Sequence, residues 1–506
     1  MTDDIKPLTG PALLLAGMVL ALTNFMVVLD TTIANVSVTH IAGALGISST
    51  QGTWVITSYA VAEAICVPLT GWLTGRFGAV RTFTWGMIGF GLFSFLCGLS
   101  NSLAMLVVCR IGQGLCGGPL MPLSQTLMLR VFPKRQHGQA MSLWATTTVV
   151  APIIGPILGG TISDGWSWNW IFFINVPVAA VCAYGALRLL KSAETRIERL
   201  SVDKVGLMLL ILWVGAFQLM LDLGREHDWF NDGMIVTLAV IAAIGLALFV
   251  AWEVTAKQPI VDLRVFRHRG FTVSVTSLSF AFAVFFVAAV LIPQWLQQNL
   301  GYTATYAGYV TAFSGVGAVL VSPLVVSLST RFDPRALVFF GILWMGITSL
   351  LRVQWASNAD FWTLSLPQLL QGVGLPFFIV PLTTIGLGAV KPEETASAAG
   401  IMSFLRTMAG AVGTSISTTM FADGAVVARS EIVSKLNSDA TSQTLTNSGF
   451  SLEQIRAVIE QTVVQESYAL SIDHVFLLSA ITFAVAATII WLAPRPDRAV
   501  EAGAMH

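Results

Sequence analysis

Residues 11–36 read PALLLAGMVLALTNFMVVLDTTIANV, an apolar run with one ionisable side chain, Asp30. Wound as an α-helix at about 1.5 Å per residue, the run exceeds the roughly 30 Å hydrocarbon core of a bilayer. It is too long for the apolar core of a signal peptide. Only Lys6 precedes it, beside Asp3 and Asp4, and no cleavage site is evident. The stretch therefore reads as a membrane-spanning helix that keeps a carboxylate in its interior. An ionised side chain at the bilayer centre costs about 3 kcal/mol or more, so Asp30 calls for a reason.

The rest of the chain supports the membrane reading. Of its 506 residues 55% are hydrophobic and 11% charged, against about 25% charged in a soluble domain. The charges cluster, and the runs between them reach spanning length. Fourteen helices are predicted, at approximately 12–36, 50–73, 82–99, 103–127, 138–162, 169–190, 204–223, 234–254, 271–297, 305–328, 336–353, 362–389, 396–421 and 472–493. With a cytoplasmic N-terminus, twenty Lys and Arg fall in inside segments and five outside (Arg225, Arg352, Arg429, Lys435, Arg456). Arg110 and Arg406 lie within helices and complete the 27. That bias is the positive-inside pattern, and both ends are expected in the cytoplasm. The five cysteines sit in apolar runs without metal-like spacing and read as small core residues.

Internal repeats organise the fourteen. PLTGWLTGRF at 68–77 and PLVVSLSTRF at 323–332 share a pattern at an offset of 255, and QGLCGGPLMPL at 113–123 resembles QGVGLPFFIVPL at 371–382 with its Gln-Gly pairs offset by 258. An MS pair recurs at an offset of 261. Matches in the same order with a drifting offset are what a duplicated six-helix unit leaves. The expected architecture is an all-α membrane protein of two six-helix bundles, 1–195 and 266–506, with helices 7 and 8 inserted at 196–265. Two similar bundles around a midplane site is a transporter plan. One large external segment is expected at about 422–471, where SLEQIRAVIEQTVVQESYAL carries Ser451 and Gln454 as a capping box.

The chemistry is sparse. There is no Gly-Lys dipeptide to build a nucleotide-binding loop, no G-x-S-x-G elbow, and the six histidines are isolated. ATP is not an energy source within this chain, and no metal site or nucleic-acid partner is expected. What remains is a set of charges inside helices: Asp30, Glu63, Arg110, Asp222 and Arg406. Asp30 reads either as a structural carboxylate neutralised by a partner such as Arg110 or as a proton carrier, and both hold if Arg110 approaches in one state only. Glu63 maps onto Ala318 in the second repeat, so it belongs to one half, as a coupling group or a cation-binding group does. Asp222 reads equally as a solvated helix end or a second proton site. Ala151, Gly155 and Gly159 fall at i, i+4 and i+8, a smooth strip for a close helix contact, and Pro152 and Pro156 bend the same helix.

The motifs taken together resemble the fourteen-helix drug:proton antiporters of the major facilitator superfamily, most closely the EmrB-type exporters. LDTTIANV at 29–36, GWLTGRFGAVR at 71–81, RIGQG at 110–114 and APIIGPILGG at 151–160 look like that group's helix-1, loop, helix-4 and antiporter motifs, and QGTWVITSYAVAEA and WIFFINVP are close as well. The resemblance implies proton coupling at Asp30; Glu63, Arg110 and Asp222 are the further candidates for coupling, and Gln113, Arg406, Arg76 and Arg81 are candidates for a cavity or gating role. It also implies an antiporter motif at Gly155, Pro156, Gly159 and Gly160. No cofactor is implied beyond the proton gradient. The expected substrates are hydrophobic or amphipathic toxic compounds, exported from a bacterial inner membrane with a periplasmic adaptor and an outer-membrane channel. The alternative is a transporter of the same superfamily for one specific metabolite, proton-coupled or facilitative. Gly75 stands where the loop motif usually has an acid, so the contact that acid makes is in question.

The topology has a direct check. A cysteine at Ala440 is expected to react with an impermeant maleimide from outside, and one at Thr195 only after the inside is exposed. Outside labelling at 195 would break the count.

Overall fold

The computed structural model describes residues 8–197, 201–353, 355–356, 359–435 and 451–495. Among them the chain is helical, without strands. The main helices are α1 (Gly10–Leu45), α2 (Trp54–Phe77), α3 (Ala79–Gly98), α4 (Leu103–Val131), α5 (His137–Gly165), α6 (Trp170–Leu189) and α7 (Lys204–Leu223). They continue with α8 (Gly233–Thr255), α9 (Arg269–Gln298), α10 (Ala304–Arg331), α11 (Pro334–Leu350), α12 (Phe361–Gly388), α13 (Thr395–Lys435) and α14 (Leu452–Ile489). Each matches one predicted segment. Eleven are long and apolar enough to cross a bilayer, or twelve with α5, which bends by 40° just after Pro152. The others are α11, 17 residues long, and α13, which is long but rich in Ser, Thr and Gly.

Polar side chains start these helices where the sequence provides them. Ser102, Asp203, Asp232, Thr303, Asp333 and Asp360 each accept a hydrogen bond from a first-turn N–H, satisfying donors that have no partner within the helix. Ser451 and Gln454 form the expected capping box. The segment expected as an external loop at 422–471 is different in one respect: α13 runs on to Lys435 and α14 begins at Leu452. With 41 and 38 residues, these helices are about 60 Å long, twice the hydrocarbon thickness. Their projecting ends pack together, and Arg429 pairs with Glu460 at 2.7 Å. Aliphatic residues on both strands of this hairpin, such as Ala425, Ala428, Ile455 and Val463, are buried against neighbours, which gives the helices reason to continue beyond the bilayer.

Helix packing runs in two parallel sets. α1 packs on α4, α5 and α6, α4 on α2 and α3, and α3 on α6. Likewise α9 packs on α12, α13 and α14, α12 on α10 and α11, and α11 on α14. α7 packs on α2 and α8. The two sets meet where α5 lies against α10 and α12, and where α13 crosses the ends of α2 and α4.

The second contact seals the face that carries the basic loops. A Cβ on Gly71 would sit 2.8 Å from the Cα of Ser397, and one on Gly400 would sit 3.0 Å from the carbonyl of Val67. Here α2 and α13 touch backbone to backbone. Nearby lies Glu194, on the segment that follows α6. Its carboxylate accepts from the N–H groups of Val80 (2.9 Å) and Arg81 (3.2 Å) and so caps α3. Gly78 has φ +92° and leaves the space that the carboxylate fills. The 255 offset carries Gly78 onto Asp333, which caps α11 from its own sequence. Arg335 bonds that carboxyl at 2.8 Å and holds it below the usual carboxylate range.

Gly71→Leu is expected to force α2 and α13 apart, at a cost of about 1–3 kcal/mol for an overpacked contact. Spin labels at Arg76 and Lys391 should then show a longer interlabel distance. Gly215→Leu, where a side chain meets open space, should leave it unchanged.

Candidate functional site

The site is built from the least apolar turns of α1, α4 and α6. Asp30 is 2% exposed and Arg110 1%. The guanidinium Nη1 donates to Asp30 Oδ2 at 2.6 Å and to Gln113 Oε1 at 2.9 Å, while its Nε donates to the Val55 carbonyl at 3.0 Å. Gln113 Nε2 and Asn175 Nδ2 both donate to Asp30 Oδ1, at 3.0 and 2.6 Å. Asn175 also reaches Ser94 Oγ at 3.2 Å. The cation lies over the ring of Tyr59 at 4.2 Å, with Phe172 at 5.6 Å. Arg110, Gln113 and Asn175 all donate to the carboxylate, which needs such donors because water is excluded.

Glycines set the distances. A Cβ on Gly114 would be 2.6 Å from the Tyr59 carbonyl, so α4 presses on the backbone of α2 just before Glu63. A Cβ on Gly155 would be 2.1 Å from Thr32 Oγ1, and one on Gly159 would be 3.1 Å from the Ile33 carbonyl. The antiporter motif thus holds α5 against α1 immediately after Asp30. Gly160 is buried and Pro156 half-buried in the same helix. Asn24 adds a second tie between α1 and α5, with donations to Thr147, Thr148 and the Trp144 carbonyl at 2.9, 2.7 and 3.2 Å.

The remaining expected residues divide. Glu63 lies within electrostatic reach of both Arg110 and Arg406. Arg406 is buried between the two helix sets: it touches Met121, stacks near Trp144 at 5.5 Å and near Phe282 at 5.2 Å. Asp222 is apart from this centre. It is exposed near the end of α7, accepts from Gln218 at 3.0 Å and bonds Thr57 on α2. Arg76 and Arg81 are exposed on the basic face, the latter 4.0 Å from Glu194. Asn175, Ser94, Asn24 and Glu194 escaped sequence reasoning. A signal existed for Asn175 alone, because WIFFINVP places an amide within an apolar run.

The comparisons with known proteins follow the same lines. A sequence profile described as Major Facilitator Superfamily matches residues 20–285 and 273–426. The chain is 42% identical over 497 residues to the Multidrug export protein EmrB of Escherichia coli, covering 97% of each. It is 42% identical over 498 residues to the Fatty acid resistance protein FarB of Neisseria gonorrhoeae, covering 97% of this chain and 98% of the other. Among solved structures, a bacterial homologue of the human lysosomal transporter Spinster aligns with a TM-score of 0.54 over 96% of this chain and 97% of that one, at 14% identity.

Arg110→Leu should leave Asp30 buried without its counter-charge, which costs about 3–5 kcal/mol. The double variant with Asp30→Asn removes that charge and should recover part of the loss. Thermal melting of the detergent-solubilised protein measures both. Equal melting of the single and double variants would show that the pair is not a closed unit.

Proposed function

Because the chain belongs to the Major Facilitator Superfamily, alongside EmrB-type relatives, we propose that it is a proton-coupled multidrug efflux transporter. It exports hydrophobic or amphipathic toxic compounds from the bacterial inner membrane by alternating access. Asp30 is the coupling group, and the observation that carries this reading is its position. The carboxylate is bonded to Arg110, Gln113 and Asn175 on a helix that the glycines of α5 clamp.

The mechanism follows from those contacts. A proton arriving at Asp30 removes the charge that holds Arg110. The guanidinium keeps the Val55 carbonyl, Gln113 Oε1 and the Tyr59 ring, and Glu63 offers it a second carboxylate. α1 is then released from α4 and α6 but stays fixed to α5. Since α5 also lies against α10 and α12, a shift of α1 is transmitted to the boundary between the halves. Arg406 and the Gly71–Ser397 contact meet across that boundary, and their separation opens the basic face. One proton falling through 100 mV yields about 2.3 kcal/mol, enough for about a fiftyfold substrate gradient.

The halves are 1–195 and 266–506, with α7 and α8 as an insertion at 196–265. The matching packing of α1–α6 and α9–α14 supports this division. The basic face is cytoplasmic by the positive-inside rule. The α13–α14 hairpin then projects into the periplasm, where its length suits docking of an adaptor that leads to an outer-membrane channel.

Asp30→Asn keeps shape and polarity but does not titrate. Purified, folded Asn variant is expected to bind substrate, release no protons on substrate addition, and show no pH-gradient-driven efflux. Asp30→Glu should retain part of both. Proton release and pumping at the wild-type level in the Asn variant would pass the role to Glu63 or Asp222.

A further inference from the structure

Among the described residues, the second helix set holds a buried cation, Arg352, with no anion paired to it. The 258 offset carries Arg110 onto Gln368 and Gln113 onto Gln371, so the arginine of α4 is a glutamine in α12. A guanidinium comes instead from Arg352, just after α11. It is 0% exposed, and Gln368 and Gln371 are each 3%. Nη2 of Arg352 donates to Gln368 Oε1 at 2.9 Å and to Gln371 Oε1. The rings of Trp355 and Phe476 lie 5.9 and 5.7 Å away.

The hydrogen-bond accounting does not close. Among the described residues, Nε and Nη1 of Arg352 and the Nε2 groups of both glutamines have no hydrogen-bond partner. Four buried donors, one pair of them cationic, are thus left without an acceptor among the described residues, whereas buried polar groups are as a rule hydrogen-bonded. Gln368 and Gln371 also line a narrow cavity between the helix sets, whose other walls are Phe285, Ala288, Ala289, Pro293, Thr311, Ser314 and Pro152. In the first set the residue facing the equivalent glutamine is Asp30. In the second, α9 presents Ala288 and Ala289 there.

We propose that Arg352, Gln368 and Gln371 form a receptor for the anionic head of an amphipathic substrate, a carboxylate above all, with its apolar body along Phe285, Ala288 and Pro293. The substrate supplies the negative charge that Asp30 supplies within the first half. This assignment rests on the efflux reading and names the chemistry of one substrate class. The rival occupant lies on the chain itself. Asp473, one turn before Phe476, has an Oδ1 without a partner, and a shift of α14 would be needed to bring it to Arg352.

The test compares 4-phenylbutanoate with its neutral amide, titrated calorimetrically into the full-length protein in nanodiscs. Wild type is expected to bind the carboxylate at least about tenfold more tightly, the contribution of a charge-assisted bond. Arg352→Gln should abolish that preference without weakening the amide. Gln371→Leu should narrow it, Arg352→Lys should keep part of it, and Asp473→Asn should leave it intact. Should Arg352→Gln not fold, Gln371→Leu decides: an unchanged preference there overturns the receptor. So does the absence of a preference in wild type, its survival in Arg352→Gln, or its loss in Asp473→Asn. Ethidium, a cation, is assayed for pH-driven efflux in proteoliposomes of the same preparation. Failure of ethidium efflux in wild type counts against the transport reading alone, because the binding preference is measured without a gradient.

Discussion

The ion pair between Asp30 and Arg110 is the constraint around which the first half is arranged. Two charges placed where water cannot follow cost several kcal/mol each to desolvate, and their attraction offsets that only when the leftover donors and acceptors are matched. The matching is nearly complete here. Arg110 divides its N–H groups among Asp30, Gln113 and the Val55 carbonyl, and Asn175 occupies the carboxylate oxygen that the arginine leaves free. Tyr59 and Phe172 close the space above the cation. Such a cluster is held by four helices at once, so a change of charge at one atom is felt by all four.

Close backbone contacts turn that local event into a movement of helices. Gly155 and Gly159 set the backbone of α5 against Thr32 and Ile33, directly after the carboxylate, so the two helices approach closely there. The bend after Pro152 gives α5 two segments, one toward α1's charged turn and one toward the basic face. The same device recurs at Gly71 and Gly400, where it closes the basic face between α2 and α13.

The two halves share helix packing but not charge. The first contains both members of its buried ion pair, whereas among the described residues the second has a buried cation and two amides with no anion bonded to them. The capping of the loop helices diverges in the same way. Asp333 caps α11 from the adjacent residue, while α3 relies on Glu194, more than a hundred residues further along the chain. Duplication preserves the apolar contacts that bury area, and the polar groups are free to differ once the bundle is stable.

The sequence by itself determined the membrane class, the fourteen helical segments, the repeat offsets and the residues Asp30, Arg110 and Gln113. These are written in apolar run length, loop charge and local spacing, which depend on neighbours along the chain. It also flagged Arg406 and Glu63 as charges in apolar helices, without saying what they face. Only the tertiary structure decided that Asn175 completes the Asp30 network, that Glu194 caps α3, and that Arg352 is buried rather than an external loop charge. Each of those depends on a contact between residues tens to hundreds of positions apart, and a side chain that acts by filling another residue's vacant hydrogen bond has no local pattern to mark it. The continuation of α13 and α14 past the bilayer has the same origin, since each helix is sustained beyond the hydrocarbon by the apolar side of the other.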